Sequence, residues 1–318
     1  MPRQVSDGSL PPLPSQTKSR EKGKKGVATR RQSLRVTAIP VPANAHHPAV
    51  PHDDVLPQHE FTLGLIAPKG SGKTTLIANL LDFYMGYFHT IVVFSPTLHS
   101  DEKWDYVKKR PLLGENKAMK EFLKKKKQQD ASVVGPMHIV DDTHKKFDPL
   151  IPTSCFMTEY DESTLQGLMT EQMETIEALE GMGGTKHLAN RLLFIFDDLV
   201  GSSLFSGTRR NPFKMLNTNH RHHSASILMV SQGYREIPKT VRTNFTGLIT
   251  FEVPSEGELS SIYNENPCGY KRDVWDKVYT YCVQEEYSFM YINYKRPKHL
   301  RVMRNFDQFV FMGQGDDE

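Results

Sequence analysis

The 318 residues are 38% hydrophobic and 24% charged, with a formal net charge of +3. That is enough apolar material for one large domain or two small ones, and no apolar run approaches the length of about 18 residues that a membrane helix needs. Cys155, Cys268 and Cys282 are widely spaced and fit neither a zinc pattern nor a disulfide framework. With no apolar signal core at the N-terminus, they point to a reducing intracellular compartment.

The charge is unevenly spread. Residues 1–35 hold nine Lys/Arg against Asp7 and Glu21, a local +7, so the rest of the chain sums to −4. A mildly acidic body with a basic arm excludes a uniformly basic DNA-coating protein. It permits a nucleic-acid partner held by the arm or by a local patch.

Residues 1–57 are rich in Pro, Ser, Lys and Arg without apolar periodicity, and are read as a disordered arm. The remainder, 58–318, is read as one catalytic domain. Residues 61–66 predict a buried strand, 67–74 (Ala67, Pro68, Lys69, Gly70, Ser71, Gly72, Lys73, Thr74) a phosphate loop, and Thr75 onward a helix to about Tyr87. Gly70 and Gly72 lack a Cβ, so backbone N–H groups can turn inward around a polyphosphate. The helix N-terminus adds its own N–H groups and dipole. Lys73 is then placed to reach the β- and γ-phosphates of ATP, and Thr74 to hold Mg²⁺. Ala67 stands where the motif opens with Gly.

Residues 90–95 predict a second buried strand, bounded by Pro96. A capping Ser100 or Asp101 starts the next helix. The stretch 111–190 is read as an elaboration between core strands. It holds a helix over 116–129 ending in four lysines, a short strand at 137–140, and an acidic helix over 161–179 with one apolar face. The lysine run is a solvated face or a nucleic-acid contact.

Residues 192–196 form a continuous apolar run ending in Asp197-Asp198. Beside a phosphate loop, the first of these is assigned to Mg²⁺ and the second to the attacking water. A helix over 211–222, a strand over 225–232 ending in Gln232, and a strand over 247–253 follow. Helices over 255–264 and 271–280 and a strand over 287–292 complete the pattern. Strands alternating with helices predict an α/β fold, a parallel sheet with helices on both faces. Lys73, Asp197 and Gln232 all lie at strand C-termini. They converge if the 225–231 strand lies between the phosphate-loop strand and the Asp197 strand. Gln232 is then a second candidate to orient the water.

In this order the segments APKGSGKTTL, IVVFSPT, LLFIFDD, NHRHHSASILMVSQ and IPKTVRTN resemble the virion DNA-packaging ATPases of poxviruses and related large DNA viruses, virophages and Polinton-like elements. These are P-loop motors of the HerA/FtsK superfamily, and the resemblance covers about residues 60–265. Asp198 replaces the usual Glu, which leaves the base open between Asp198 and Gln232. The resemblance implies a RecA/FtsK-like strand order and ATP hydrolysis coupled to movement of double-stranded DNA into a capsid. It implies a homo-oligomeric ring, a capsid or virion partner, and a place in the infected cell or the virion. Such a ring needs a cation that reaches a neighbour's γ-phosphate, and Arg221 and Arg242 are the candidates, with a local carboxylate or a helix end as the alternative partner of either. The histidines around Arg221 are assigned no metal. Two other classes remain: a P-loop kinase acting on a small molecule, for which only Arg209–Arg210 hints at a lid, and an inactive DNA-binding remnant.

Overall fold

The computed structural model describes residues 46–129, 146–199, 201–206 and 211–310. The chain divides into two units, Met1–Val41 and Pro42–Glu318, and every described residue lies in the second.

β1 (Thr62–Ile66) is buried at every position, as an apolar strand covered on both faces should be. α1 (Lys73–Phe83) follows, then β2 (Thr90–Phe94), α2 (Lys103–Lys108) and α3 (Lys117–Gln129). β3 (Phe156–Met157) and α4 (Glu162–Gly181) lead to β4 (Leu192–Asp197). Then come α5 (Pro212–Asn219), β5 (Ala225–Ser231), α6 (Lys239–Arg242) and β6 (Gly247–Thr250). α7 (Glu256–Glu265), α8 (Arg272–Val283), β7 (Met290–Asn293), β8 (Val302–Arg304) and β9 (Gln308–Phe309) close the described chain.

The strands form one sheet in the order β3-β2-β4-β5-β1-β6-β7-β8-β9. Pairs from β3 to β6 are parallel. Alternation along each strand feeds two apolar layers. Phe94, Phe194, Phe196, Ile227 and Met229 face α4, α5 and α8 through Leu165, Phe213, Leu216 and Trp275. Leu63, Leu65, Val93, Ile195 and Val230 face α1 through Ile77, Leu80 and Leu81. Helices therefore cover both faces, and β5 lies between β1 and β4 as the site requires. A satellite cluster of Met119, Leu123, Ile176 and Leu179 joins α3 to α4, so the elaboration has a small core of its own.

Four expectations are corrected or bounded. The sheet is not parallel throughout: β6 to β9 pair antiparallel. Two helices rather than one separate β6 from β7, so the chain re-enters the sheet at the end it left, with Thr250 opposite Met290. α1 stops at Phe83 instead of reaching Tyr87. Gly86 turns the chain there at φ 75°. Its N–H donates to Leu112 O, and a Cβ on Gly114 would come within 2.0 Å of its carbonyl. The arm boundary at residue 57 falls inside packed chain, because Val50 and Leu56 are buried in the α1-side core. Tyr84 and Tyr87 hydroxyls donate to Pro57 O and Pro48 O, fastening that segment. The strand expected at 137–140 and the Arg209–Arg210 pair lie outside the described residues.

Candidate nucleotide-binding site

The phosphate loop is fixed at both ends. Ala67 N–H donates to Ser231 O of β5, and the Ala67 side chain is fully buried in the α1-side core, which explains why a small residue serves there. Ser71 folds back on Pro68 O through its amide and its hydroxyl (2.7 Å). Gly70 (φ 86°) and Gly72 (φ 89°) are left-handed, a conformation that glycine adopts without penalty. Gly72 caps α1 with no side chain, and the first turn holds no acidic residue. The end of the helix therefore offers its N–H groups and positive dipole to an anion. Lys69 and Gly70 are exposed, Pro68 is half-buried, and Thr75 points outward from the first turn.

Four predicted side chains meet here. Lys73 Nζ lies 3.0 Å from Asp197 Oδ1 and 3.5 Å from Asp198 Oδ2. Asp197 is the last residue of β4 and fully buried. Its Oδ2 accepts the Ser95 hydroxyl at 2.7 Å. Its Oδ1 faces the Lys73 ammonium. A buried carboxylate needs a cation beside it, and here Lys73 is that cation. Asp198 sits at φ 54°, a left-handed backbone that Asp tolerates better than most residues. Its amide donates to Val230 O, and its Oδ2 accepts Gln232 Nε2 at 2.7 Å.

Three further residues belong to this site and were not singled out for it from sequence. Ser95 directly follows β2 and holds Asp197, and Thr97 Oγ1 lies 3.0 Å from Ser95 Oγ. The residue at the start of α2 is Glu102, which makes no side-chain cap, and Asp101 just before it accepts Lys103 N–H at 3.0 Å. Burial works to raise the Asp101 carboxyl. Hydrogen bonds from the Thr74 hydroxyl and the Lys103 amide, with the Lys103 charge, outweigh it and leave the group below the usual carboxylate range. Asp101 therefore reaches the hydroxyl assigned to the metal. Glu236 accepts both the Ser231 hydroxyl (2.6 Å) and Gly233 N–H (2.9 Å), pinning the chain on either side of Gln232. A strand-terminal serine was the only sequence signal among them; the reach of Asp101 and Glu236 depends on loop paths.

The two arginines are not brought to this site. Arg242 spends its guanidinium internally, on both oxygens of Glu265 (2.7 and 3.0 Å), Tyr234 O and Ile237 O. It also stacks on the Tyr234 ring at 4.5 Å. A group so committed is a brace between α6 and α7, which is the local-carboxylate alternative for this residue. Arg221 is exposed and precedes β5, while Gln232 follows it. Seven extended residues place Arg221 roughly 20 Å from its own phosphate loop.

A glycine-rich loop feeding a helix N-terminus, with Lys73, Thr74 and a buried carboxylate at adjoining strand ends, defines a P-loop nucleotide-binding protein. Residues 143–295 match the family described as Poxvirus A32 protein. The matched segment includes Asp197, Asp198 and Gln232 and begins after the phosphate loop. The chain is thus similar to the poxvirus-type packaging ATPases. No curated protein matches it. Among solved structures, the genome packaging NTPase B204 from Sulfolobus turreted icosahedral virus 2 in complex with AMPPCP shares 13% identity, over 74% of this chain and 93% of that one, at a TM-score of 0.43. Its complex with ATP-gammaS gives 13%, 79%, 98% and 0.41. EssC (ATPases 2 and 3) from Geobacillus thermodenitrificans shares 10%, over 85% of this chain and 46% of that one, at 0.38. These likenesses are distant, and nothing below rests on them.

Proposed function

We propose that this chain is an ATP-hydrolysing motor that packages double-stranded viral DNA into a capsid. The observation that carries the reading is the convergence of Lys73, Asp197, Asp198 and Gln232, from three non-consecutive segments, at the C-terminal ends of β1, β4 and β5. The match to the poxvirus family directs it toward DNA packaging in an infected cell or virion. Among the described residues no helix is long and apolar enough to cross a membrane.

Thr74 and Asp197 fit a divalent cation by their chemistry, a hydroxyl at the helix start and a buried carboxylate being the oxygen donors such an ion takes. Mg²⁺ held there would neutralise charge on the β- and γ-phosphates. Lys73 is neutralised by Asp197 and Asp198 in this structure, and a triphosphate offers its ammonium a competing partner. Asp198 and Gln232 are hydrogen-bonded to each other, which supports a water shared by the two over a water held by either alone. Gln232 spends an N–H on Asp198 Oδ2 and keeps its carbonyl oxygen, and Asp198 keeps Oδ1. Two acceptors side by side can hold one water, with the Gln232 carbonyl orienting it and the Asp198 carboxylate taking its proton as attack develops. Glu236 holds the Gln232 backbone in place for this.

The ring, the capsid partner and the DNA contacts of the basic arm belong to the same proposal. Arg221, exposed and far from its own site, is the residue left to serve a neighbour's phosphate. The test is the ATPase rate of the full chain with and without linear duplex DNA. DNA stimulation is expected, and Lys73→Ala abolishes turnover in a folded protein. Turnover that ignores DNA but rises with a small-molecule acceptor would move the chain to the kinases.

A further inference from the structure

Among the described residues Tyr287 is the most exposed of the large hydrophobic side chains, at 61%. It precedes β7, at the end of the sheet where the phosphate loop lies. A Cβ built on Gly72 would come within 3.2 Å of Tyr287 Cδ1, so the ring lies against the loop that cradles phosphate. Its backbone is left-handed at φ 63°, an outlier for a bulky side chain. Such strain persists only where the surroundings impose it. Here they do: Ser288 N–H donates to Glu285 O, and the Ser288 hydroxyl both donates to Glu285 O and accepts Glu285 N–H. Arg304 pairs with Glu285 at 2.6 Å, and Asn305 accepts Phe289 N–H. The phenol hydrogen-bonds to Glu286, which leaves the ring face as the free surface.

We propose that Tyr287 is the nucleobase platform of this site, stacking its ring on the purine of the bound nucleotide. This rests on the reading of residues 67–74 as a nucleotide loop and extends it from the phosphates to the base. Three observations support it together: a large apolar ring left in solvent, a strained backbone that a tight turn keeps in place, and a position against Gly72. A platform must be flat, exposed before the ligand arrives, and already rigid, because ordering it on binding would consume affinity. Nothing in the phosphate chemistry uses an aromatic ring, so the base is what remains for it to recognise. Stacking carries no hydrogen-bond code, so the platform distinguishes a nucleotide from bare polyphosphate more than one purine from another.

The test compares ATP, ADP and inorganic tripolyphosphate binding by calorimetry on the full chain. Tyr287→Ala should weaken ATP and ADP by a similar factor, about tenfold to a hundredfold, and leave tripolyphosphate unchanged. Tyr287→Gly suits the left-handed backbone, so it should melt no lower than the wild type while losing the same affinity. Tyr287→Trp should retain ATP affinity, with fluorescence quenched by ATP and not by tripolyphosphate. Unchanged ATP affinity in the folded Tyr287→Gly protein would overturn the platform, as would equal weakening of tripolyphosphate. A wild-type chain that binds neither ATP nor tripolyphosphate would instead overturn the P-loop reading itself.

Discussion

The hydrogen bond from Gln232 to Asp198 makes a quantitative claim about hydrolysis. If the two hold one water, their removals cannot be independent. The bond is short (2.7 Å) and one partner is a carboxylate, which places it in the class worth about 1.5–3 kcal/mol. Asp198 is 21% exposed and Gln232 is exposed, so water screens the pair and the lower end, about 1.5 kcal/mol, applies. That is about tenfold in rate. Asp198→Asn and Gln232→Ala should each slow single-turnover ATP hydrolysis by about 10²- to 10⁴-fold. The double variant should be at least about tenfold faster than the product of the single losses predicts. Quench-flow measurement of the bound turnover separates this from affinity, which should hold in all three proteins. Losses that multiply to within about twofold would refute a shared water, since independent sites add that closely.

Arg242→Ala should lower stability by about 3 kcal/mol and shift the urea midpoint, because it leaves Glu265 half-buried without its fork; an unchanged midpoint would return Arg242 to the candidates for a neighbour's phosphate. Burial holds His89 down to about 3 and His187 down to about 4, and it lowers His59, His220 and His223 as well. The folded protein binds fewer protons than the unfolded chain between about pH 4 and 6.5, so stability is full above 6.5 and falls as pH drops through that window. A melting temperature flat from pH 7 to 4 would contradict the burial of these rings. Deleting residues 1–45, which stops short of the packed segment at Val50 and Leu56, should leave basal turnover unchanged. It should also flatten the log–log salt dependence of DNA binding by about one unit for each phosphate that the arm had neutralised; an identical slope would show that the arm does not touch DNA.

What the sequence made legible is what depends on short-range pattern. The apolar run 192–196 announces a doubly covered strand, and Gly70 and Gly72 announce a loop whose backbone must turn left-handed. Asp161 announces the start of α4, where it accepts the Ser163 and Thr164 amides. β3 escaped notice because two residues carry no period, and β8 and β9 because three and two residues carry little more. Arg242 stays open in the sequence between a neighbour's phosphate and a local carboxylate because nothing local reveals that Glu265, on another helix, takes both arms of its fork. Tyr287 read as one aromatic in an aromatic strand; its exposure comes from a turn that shortens β7 to begin at Met290.

The order of the sheet explains why these particular residues meet. In sequence, β1 and β4 are separated by more than a hundred residues and β5 comes last of the three; in space β5 stands between them. Ile66 pairs with Ser231, and Asp197 with Val230, so three strand ends finish level. The chain leaving β1 becomes the phosphate loop, the chain leaving β4 turns at Asp198, and the chain leaving β5 must pass between them. The residue at that exit is Gln232, and its partner is Asp198. A one-residue slip in β5 would exchange Ile227 and Met229 with Leu228 and Val230 between the two apolar layers, so the close fit of both sets fixes the register that aims Gln232. The site is therefore held as much by the core beneath it as by its own hydrogen bonds. Catalytic geometry here should fail with core substitutions in β5 that leave every polar group of the site intact.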